Sequence, residues 1–378
     1  MEFRDFKNEV RKQPWASPYP QLELSAHEKK QLRQLATDMV AVNQDEYEEF
    51  LFDWGGKLPA SDWEFLRKDQ SCDTYVRRRE NYSLRGFGTT KRIRRTSDTS
   101  VSSSDREELS SMDVGDIRTM GERDGTIEDA VYGAMGPTTE TMRYKSVYVD
   151  DGIEDCNVIA IIDNVSVDDP FSSLTIRWRV TENPPVLRML LKSYDHIYLE
   201  ALGFVNLSNG ERVGFHLLHS IDFPYATPPL TTYSRGQVAA FAFWRQKAAN
   251  IVEVHAHGVF AVPFERARSL FVPVIAMSQS KTVMNVVSVA FAPGGDSKVC
   301  KICGKKRTLH RGSRCDLCDE YVCGACRVQH KVASVGLDGR MIWTRARVCP
   351  FCMARVIRSD PAETIRSEIA AGVYDRFP

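Results

Sequence analysis

An excess of charge of one sign is missing from this sequence of 378 residues, in which 50 Lys and Arg balance 50 Asp and Glu. Without a net field, nothing pulls the whole molecule toward nucleic acid or a membrane surface, and no nucleic-acid partner is expected. Long apolar runs are missing as well; none reaches the roughly 20 residues of a membrane-spanning helix. The opening Met1-Glu2-Phe3-Arg4-Asp5 is charged and lacks the apolar core of a signal peptide. A cytoplasmic, reducing setting is therefore expected, in which clustered cysteines mean metal and not disulfides. There is no G-x-S-x-G elbow, Walker A loop or H-E-x-x-H pair. Cys72 and Cys156 stand alone without an activating neighbour. No enzymatic activity is expected.

What is present is ordinary for a soluble globular chain: 43% hydrophobic and 26% charged residues, enough for two or three domains. The charge is unevenly spread. Between Cys300 and Cys352, eleven Lys and Arg stand against four Asp and Glu, a local net of +7 that leaves −7 on the remainder. A basic module on an acidic body suits an anionic partner. The same cations would also neutralise metal-thiolate clusters, which are themselves negative.

Residues 1–19, with Pro14 and Pro18, read as an irregular arm. Ser25 with Glu28 three residues on forms a capping box. Leu32, Leu35, Met39 and Val42 follow at helical spacing to about residue 52, where Gly55-Gly56 intervene. Strands are expected around Trp63–Lys68 and Asp73–Arg79. Residues 86–114 are Ser- and Arg-rich with few apolar groups and read as a mobile loop. Two short helices over Thr126–Met135 and Thr138–Val147 precede six strands: Asn157–Asn164, Leu174–Val180, His196–Leu202, Val213–Ile221, Val238–Arg245 and Ile251–Phe260. The alternation at 174–180 is the cleanest, with Leu174, Ile176, Trp178 and Val180 on one face and Thr175, Arg177 and Arg179 on the other. It predicts a sheet with one dry and one wet side. Asn209-Gly210 signals a hairpin. A last helix runs from about Ala267 to Val287, and 291–299 is a linker. Asp360-Pro361-Ala362-Glu363 starts a short helix in the tail 358–378.

Eight of the ten cysteines fall in four C-x2-C pairs: Cys300/Cys303, Cys315/Cys318, Cys323/Cys326 and Cys349/Cys352. That spacing lets two thiolates curl round one ion at about 2.3 Å, so four pairs provide two tetrahedral four-thiolate zinc sites. Such sites are closed and structural, and the metal stands in for a core that so small a module lacks. Spacing alone does not say which pairs share an ion.

The run from Cys315 to Cys326, with Arg347-Val348-Cys349 downstream, resembles a FYVE zinc finger, placed at 300–357. The resemblance implies that Cys300, Cys303, Cys323 and Cys326 hold one zinc, and Cys315, Cys318, Cys349 and Cys352 the other. It also implies headgroup contacts from Arg311, Arg314 and Arg347 to a phosphoinositide or anionic membrane, and a peripheral location on endosomes. The chain departs from the family pattern. No W-x-x-D precedes Cys300, and Arg311-Gly312-Ser313-Arg314-Cys315-Asp316 lacks both motif histidines and the last arginine. Lipid specificity therefore carries over less well than the finger's fold. A protein partner is the other expectation. A ubiquitin ligase of the RING type would need a histidine between its third and fourth ligands, and none is there.

The order helix, strands, two short helices, antiparallel strands, long helix over 20–290 resembles the START family of lipid-transfer domains. Ser193–Glu200, Gly214-Phe215-His216 and His219-Ser220 are the local strings that carry the likeness. It implies an α+β helix-grip fold, in which a hydrophobic lipid lies between a curved antiparallel sheet and the last helix. The expected walls are Leu174, Ile176, Trp178, Val252 and Val254 with Phe271, Val274 and Met277, residues that would equally fill a solid core. His216 and His219 lie on opposite faces of their strand. His255 and His257 share a face but lack an evident third metal ligand. The chain thus reads as a zinc-containing lipid carrier tethered by its finger; the alternative is an interaction scaffold with a filled interior.

Overall fold

In a computed structural model, described residues are 18–69, 72–78, 91–92, 113–149, 151–181, 192–223, 225–262, 268–286, 312–315, 321–324, 326–335, 341–350, 352–353 and 359–374. They fall into two compact units. One joins Ser17–Ser288 with Ile365–Pro378; the described part of the other lies within Val289–Thr364.

The first unit opens with helix α1 (Ala26–Glu48), set by the anticipated capping box: Ser25 Oγ accepts from Glu28 N–H, and Glu28 accepts from Ser25 N–H at 2.8 Å. It runs into a π turn at Glu49–Asp53. The strands are β1 (Trp63–Asp69), β2 (Cys72–Arg77), β3 (Lys91–Arg92), β4 (Asp113–Asp124), β5 (Ile153–Asp163), β6 (Ser173–Thr181), β7 (Tyr194–Asn206), β8 (Arg212–Asp222), β9 (Ser234–Arg235), β10 (Val238–Ala248) and β11 (Ile251–Val262). Helices α2 (Ile127–Ala134) and α3 (Thr139–Val149) separate β4 from β5, and α4 (Arg268–Asn285) follows β11.

Nine strands pair antiparallel in the order β1-β2-β4-β11-β10-β8-β7-β6-β5. Chain neighbours are sheet neighbours except where β4 meets β11, so one long-range pairing joins two meanders. The Asn209-Gly210 signal marks the β7–β8 turn, where Gly210 adopts φ 84°, a conformation that suits glycine. Strand β4 was not anticipated, since its sequence carries six charges and no apolar alternation. Of the expected loop 86–114, Lys91–Arg92 pair with the end of β8 and Asp113–Val114 belong to β4; the rest lies outside the described residues.

Register assigns the two faces. Leu174, Ala201, Leu217, Phe241, His257 and Arg118 form one lateral row. The next, Thr175, Glu200, Leu218, Ala240, Gly258 and Ile117, faces the opposite way because successive side chains alternate. The first face meets α1: Leu32, Leu35, Ala36 and Tyr47 are buried with Ile176, Trp178, Leu199 and Phe243. On the second face, α4 sets Val272 and Ala276 against Ile117, while α2 packs on β8 and β10 and α3 on β5. Gly133 of α2 lies so close to the residue that follows α4 that a Cβ there would sit 1.6 Å from the Val286 carbonyl oxygen.

The short helix expected in the tail is present as α5 (Pro361–Ala370), capped by Asp360, whose carboxylate accepts from Ala362 N–H. Residues beyond Thr364 return to the first unit. Ile365 and Tyr374 are buried, Tyr132 Oη donates to Glu368, and Arg366 donates to the Val167 carbonyl. Ile365→Ala should therefore lower the stability of this unit by about 2–5 kcal/mol in denaturant melts; an unchanged midpoint would show that the tail contributes no packing.

The second unit contains β12 (Gly312–Arg314) paired with β13 (Tyr321–Cys323), and β14 (Val328–Val335) paired with β15 (Met341–Val348).

Candidate functional site

Two places carry chemistry: a thiol cluster in the second unit, and ionisable groups buried on the α4-side face of the sheet.

The thiol cluster forms where the end of β15 meets the end of β12. The Sγ atoms of Cys315, Cys349 and Cys352 lie within 4.8 Å of one another. Cys349 N–H donates to Cys315 Sγ at 3.2 Å, and Cys352 N–H to Cys349 Sγ at 3.3 Å. Three cysteine sulfurs this close, two of them from one C-x2-C turn, fit the ligand set of a metal ion. The second C-x2-C turn has the same tight shape: Cys326 N–H and Arg327 N–H both donate to the Cys323 carbonyl. None of the seven described cysteines is disulfide-bonded. Cys300, Cys303 and Cys318 lie outside the described residues, as do Arg311 and the Arg314 side chain; Arg347 is exposed on β15.

The sheet face opposite α1 was expected to be wet, but it is enclosed. Thr175 and Arg177 are buried, because α2, α3 and α4 cover the face they point from. Arg177 pairs with Glu200 and donates from Nε to Thr175 Oγ1 at 3.0 Å. His216 Nε2 meets the other Glu200 oxygen at 2.9 Å, its ring stacked on Trp244. Burial alone would raise the Glu200 pKa, but Arg177 and His216 outweigh it and hold the carboxyl below its usual range. Beside them, Lys145 of α3 is buried, its Nζ bonded to the Tyr132 carbonyl and 3.8 Å from the centre of the Tyr132 ring. Burial pushes its pKa down to about 7; the more distant Glu368 opposes this and Arg177 adds to it. Burial likewise raises the Cys156 thiol to about 12.

The expected lipid walls do not lie together. Leu174, Ile176 and Trp178 face α1, where the dense apolar stripe of that helix claims them. Val252 and Val254 alternate with His255 and His257 and so lie on the opposite face from them. Met277 is 38% exposed, on the outer side of α4. The Phe271 and Val274 side chains lie outside the described residues. Sequence reasoning missed Lys145, although Met142, Lys145, Ser146 and Val149 recur at i, i+3, i+4 and i+7 and all four are buried.

On the α1 side, His255 packs against Phe50 and Tyr47 at 4.4 and 5.2 Å. His257 Nε2 meets Asp116 at 2.6 Å, Arg77 pairs with Asp116 at 2.9 Å, and Arg118 pairs with Glu46 of α1. This network fastens α1 to the sheet.

Two outcomes are expected. Cys349→Ser should remove bound metal, read by native mass spectrometry against wild type; unchanged metal content would exclude this cluster as a ligand set. Lys145 binds fewer protons folded than unfolded above about pH 7, so it makes wild-type stability rise with pH there by up to about 1.4 kcal/mol per unit. Above about pH 9, Cys156 works in the opposite direction, since its unfolded thiol loses its proton first. Lys145→Met should therefore be more stable than wild type at pH 7, with the gap narrowing toward pH 9 in urea melts; a gap independent of pH would refute the shift.

No family model and no curated protein matches the chain. Among solved structures it is similar to human StAR-related lipid transfer protein 5, at 14% identity over 66% of this chain and 97% of that one, with a TM-score of 0.40. The lipid transfer and protein localization domain of human StarD13 gives 9% identity over 64% and 96%, with a TM-score of 0.39. Human STARD10 gives 10% identity over 62% and 78%, with a TM-score of 0.37. At these scores the likeness adds nothing to the topology already described.

Proposed function

We propose that the first unit is a START-type lipid-binding domain and that the second is a FYVE-related finger tethering it to an anionic membrane. The finger holds two structural zinc ions, one on Cys315, Cys318, Cys349 and Cys352 and one on Cys300, Cys303, Cys323 and Cys326. The clustering of Cys315 with Cys349 and Cys352 supports the first set.

The observation that carries the lipid-binding reading is the sheet face under α2, α3 and α4. Val252, Val254, Ala256 and Trp244 are buried on it. Yet it encloses Lys145, Arg177, Glu200 and His216 where a solid core would hold aliphatic side chains. An apolar enclosure with a few fixed polar groups is the composition of a ligand site. No helix among the described residues is long and apolar enough to cross a membrane. The reading assigns no catalytic step: a structural thiolate site keeps no open position for water, and burial holds Cys156 protonated.

Native mass spectrometry of the full chain, purified gently from eukaryotic cells, tests both halves. Two zinc ions and one lipid-sized adduct are expected. Two zinc ions with no adduct, even after incubation with mixed-lipid vesicles, would replace the carrier by an interaction scaffold; absence of zinc would overturn the finger.

A further inference from the structure

The β14–β15 hairpin has two unlike faces. Register sets Val328 opposite Val348 and His330 opposite Ala346 on one side, and Gln329 opposite Arg347 and Lys331 opposite Arg345 on the other. The first side turns inward on its β15 strand, where Val348 is fully buried in the thiol core and Ala346 packs against it, while Val328 on β14 is exposed. On the second side Gln329, Lys331, Arg345 and Arg347 are all exposed, and Trp343, two residues before Arg345 on the same side, is half-buried. Neither strand, 328–335 or 341–348, contains an aspartate or glutamate.

This arrangement works against the hairpin's own stability. Like charges directly opposite across a strand pair destabilise it, and Lys331 faces Arg345 directly. The cost is offset when an external anion lies against the pair. The cations stand in an open row, with Trp343 and Arg347 about 13 Å apart along the strand. A linear, exposed row suits a broad anionic surface better than a single phosphate. An indole at the end of a row of lysine and arginine is the side-chain combination that settles at a lipid headgroup layer.

We propose that the Lys331–Arg345–Arg347 face of this hairpin, with Trp343 at its end, is the surface by which the finger docks on an anionic bilayer. The inference rests on the tether reading and gives it a surface, one carried by Lys331, Arg345 and Trp343 independently of the degenerate segment around Arg311.

The test is flotation of the zinc-loaded full chain with vesicles of phosphatidylcholine alone or mixed with phosphatidylserine. Binding is expected only to the mixed vesicles, weakening with added salt. Lys331→Gln with Arg345→Gln should weaken it by about fivefold per charge removed, Trp343→Ala should weaken it further, and Lys331→Arg with Arg345→Lys should preserve it. Removing the opposed charges should leave the melting temperature unchanged or raised. A chain that binds mixed vesicles equally with and without both glutamines would overturn the docking face while leaving the tether standing. A wild type that binds neither vesicle would remove both, and capture by an acidic protein in its place would mark a protein surface. Should the double variant fail to fold, amine-reactive labelling of Lys331 in the wild type decides: vesicles must shield it, and unchanged labelling would overturn the proposal.

Discussion

A single sheet covered on both faces leaves no solvent side on which to place polar residues, and the charge pattern of the first unit follows from that constraint. Each strand presents alternate residues to opposite faces. Once α1 lies on one face and α2, α3 and α4 on the other, every charged position in the strands beneath them must find a partner. Glu200 finds Arg177 and His216; Asp116 finds Arg77 and His257; Arg118 finds Glu46. Such pairs do not stabilise much beyond an apolar replacement, but breaking one by removing a partner costs about 3–5 kcal/mol. They therefore fix which strand lies beside which, and they join α1 to β4 at the pairing where the two meanders meet. Lys145 of α3, buried under the same face, has an aromatic ring and one carbonyl instead of a carboxylate.

The second unit is built differently. Among its described residues, Val322, Val348 and Ala346 pack around the thiols of Cys315 and Cys349. A metal ion on those thiols would supply cross-links that so small a core lacks. On the other side of the β14–β15 hairpin Lys331 and Arg345 stand opposed and exposed.

Much of this was legible in the sequence wherever a local rule acted alone. The capping box at Ser25, the hairpin at Asn209-Gly210 and the order of helices and strands came from spacing and turn chemistry, which depend on near neighbours. The grouping of Cys315 with Cys349 and Cys352 matches the arrangement implied by resemblance to a cross-braced finger. Strand β4 was illegible because its six charges mask the alternation, and they are tolerated only through partners far away in the chain, such as Glu46 and His257. The strand at 174–180 shows the other failure. Its period of two was read correctly, and its polar face was taken for the wet one. Which helix covers which face is decided by register across several strands, information that no single strand carries.

The second unit's place in the chain has a physical consequence. Val289–Thr364 leave after α4 and return to a tail that packs on α2, so this segment is an insertion between two parts of one unit. Closing a flexible loop of that length costs about 4 kcal/mol, which the burial of Ile365 and Tyr374 and the Tyr132–Glu368 bond must outweigh. Structure formed within that segment shortens the flexible part of the loop and so reduces the cost. Ordering within it and docking of the tail favour each other for this reason. The tail acts on a sensitive residue, since Tyr132 contacts Glu368 through its hydroxyl and Lys145 through its carbonyl and ring.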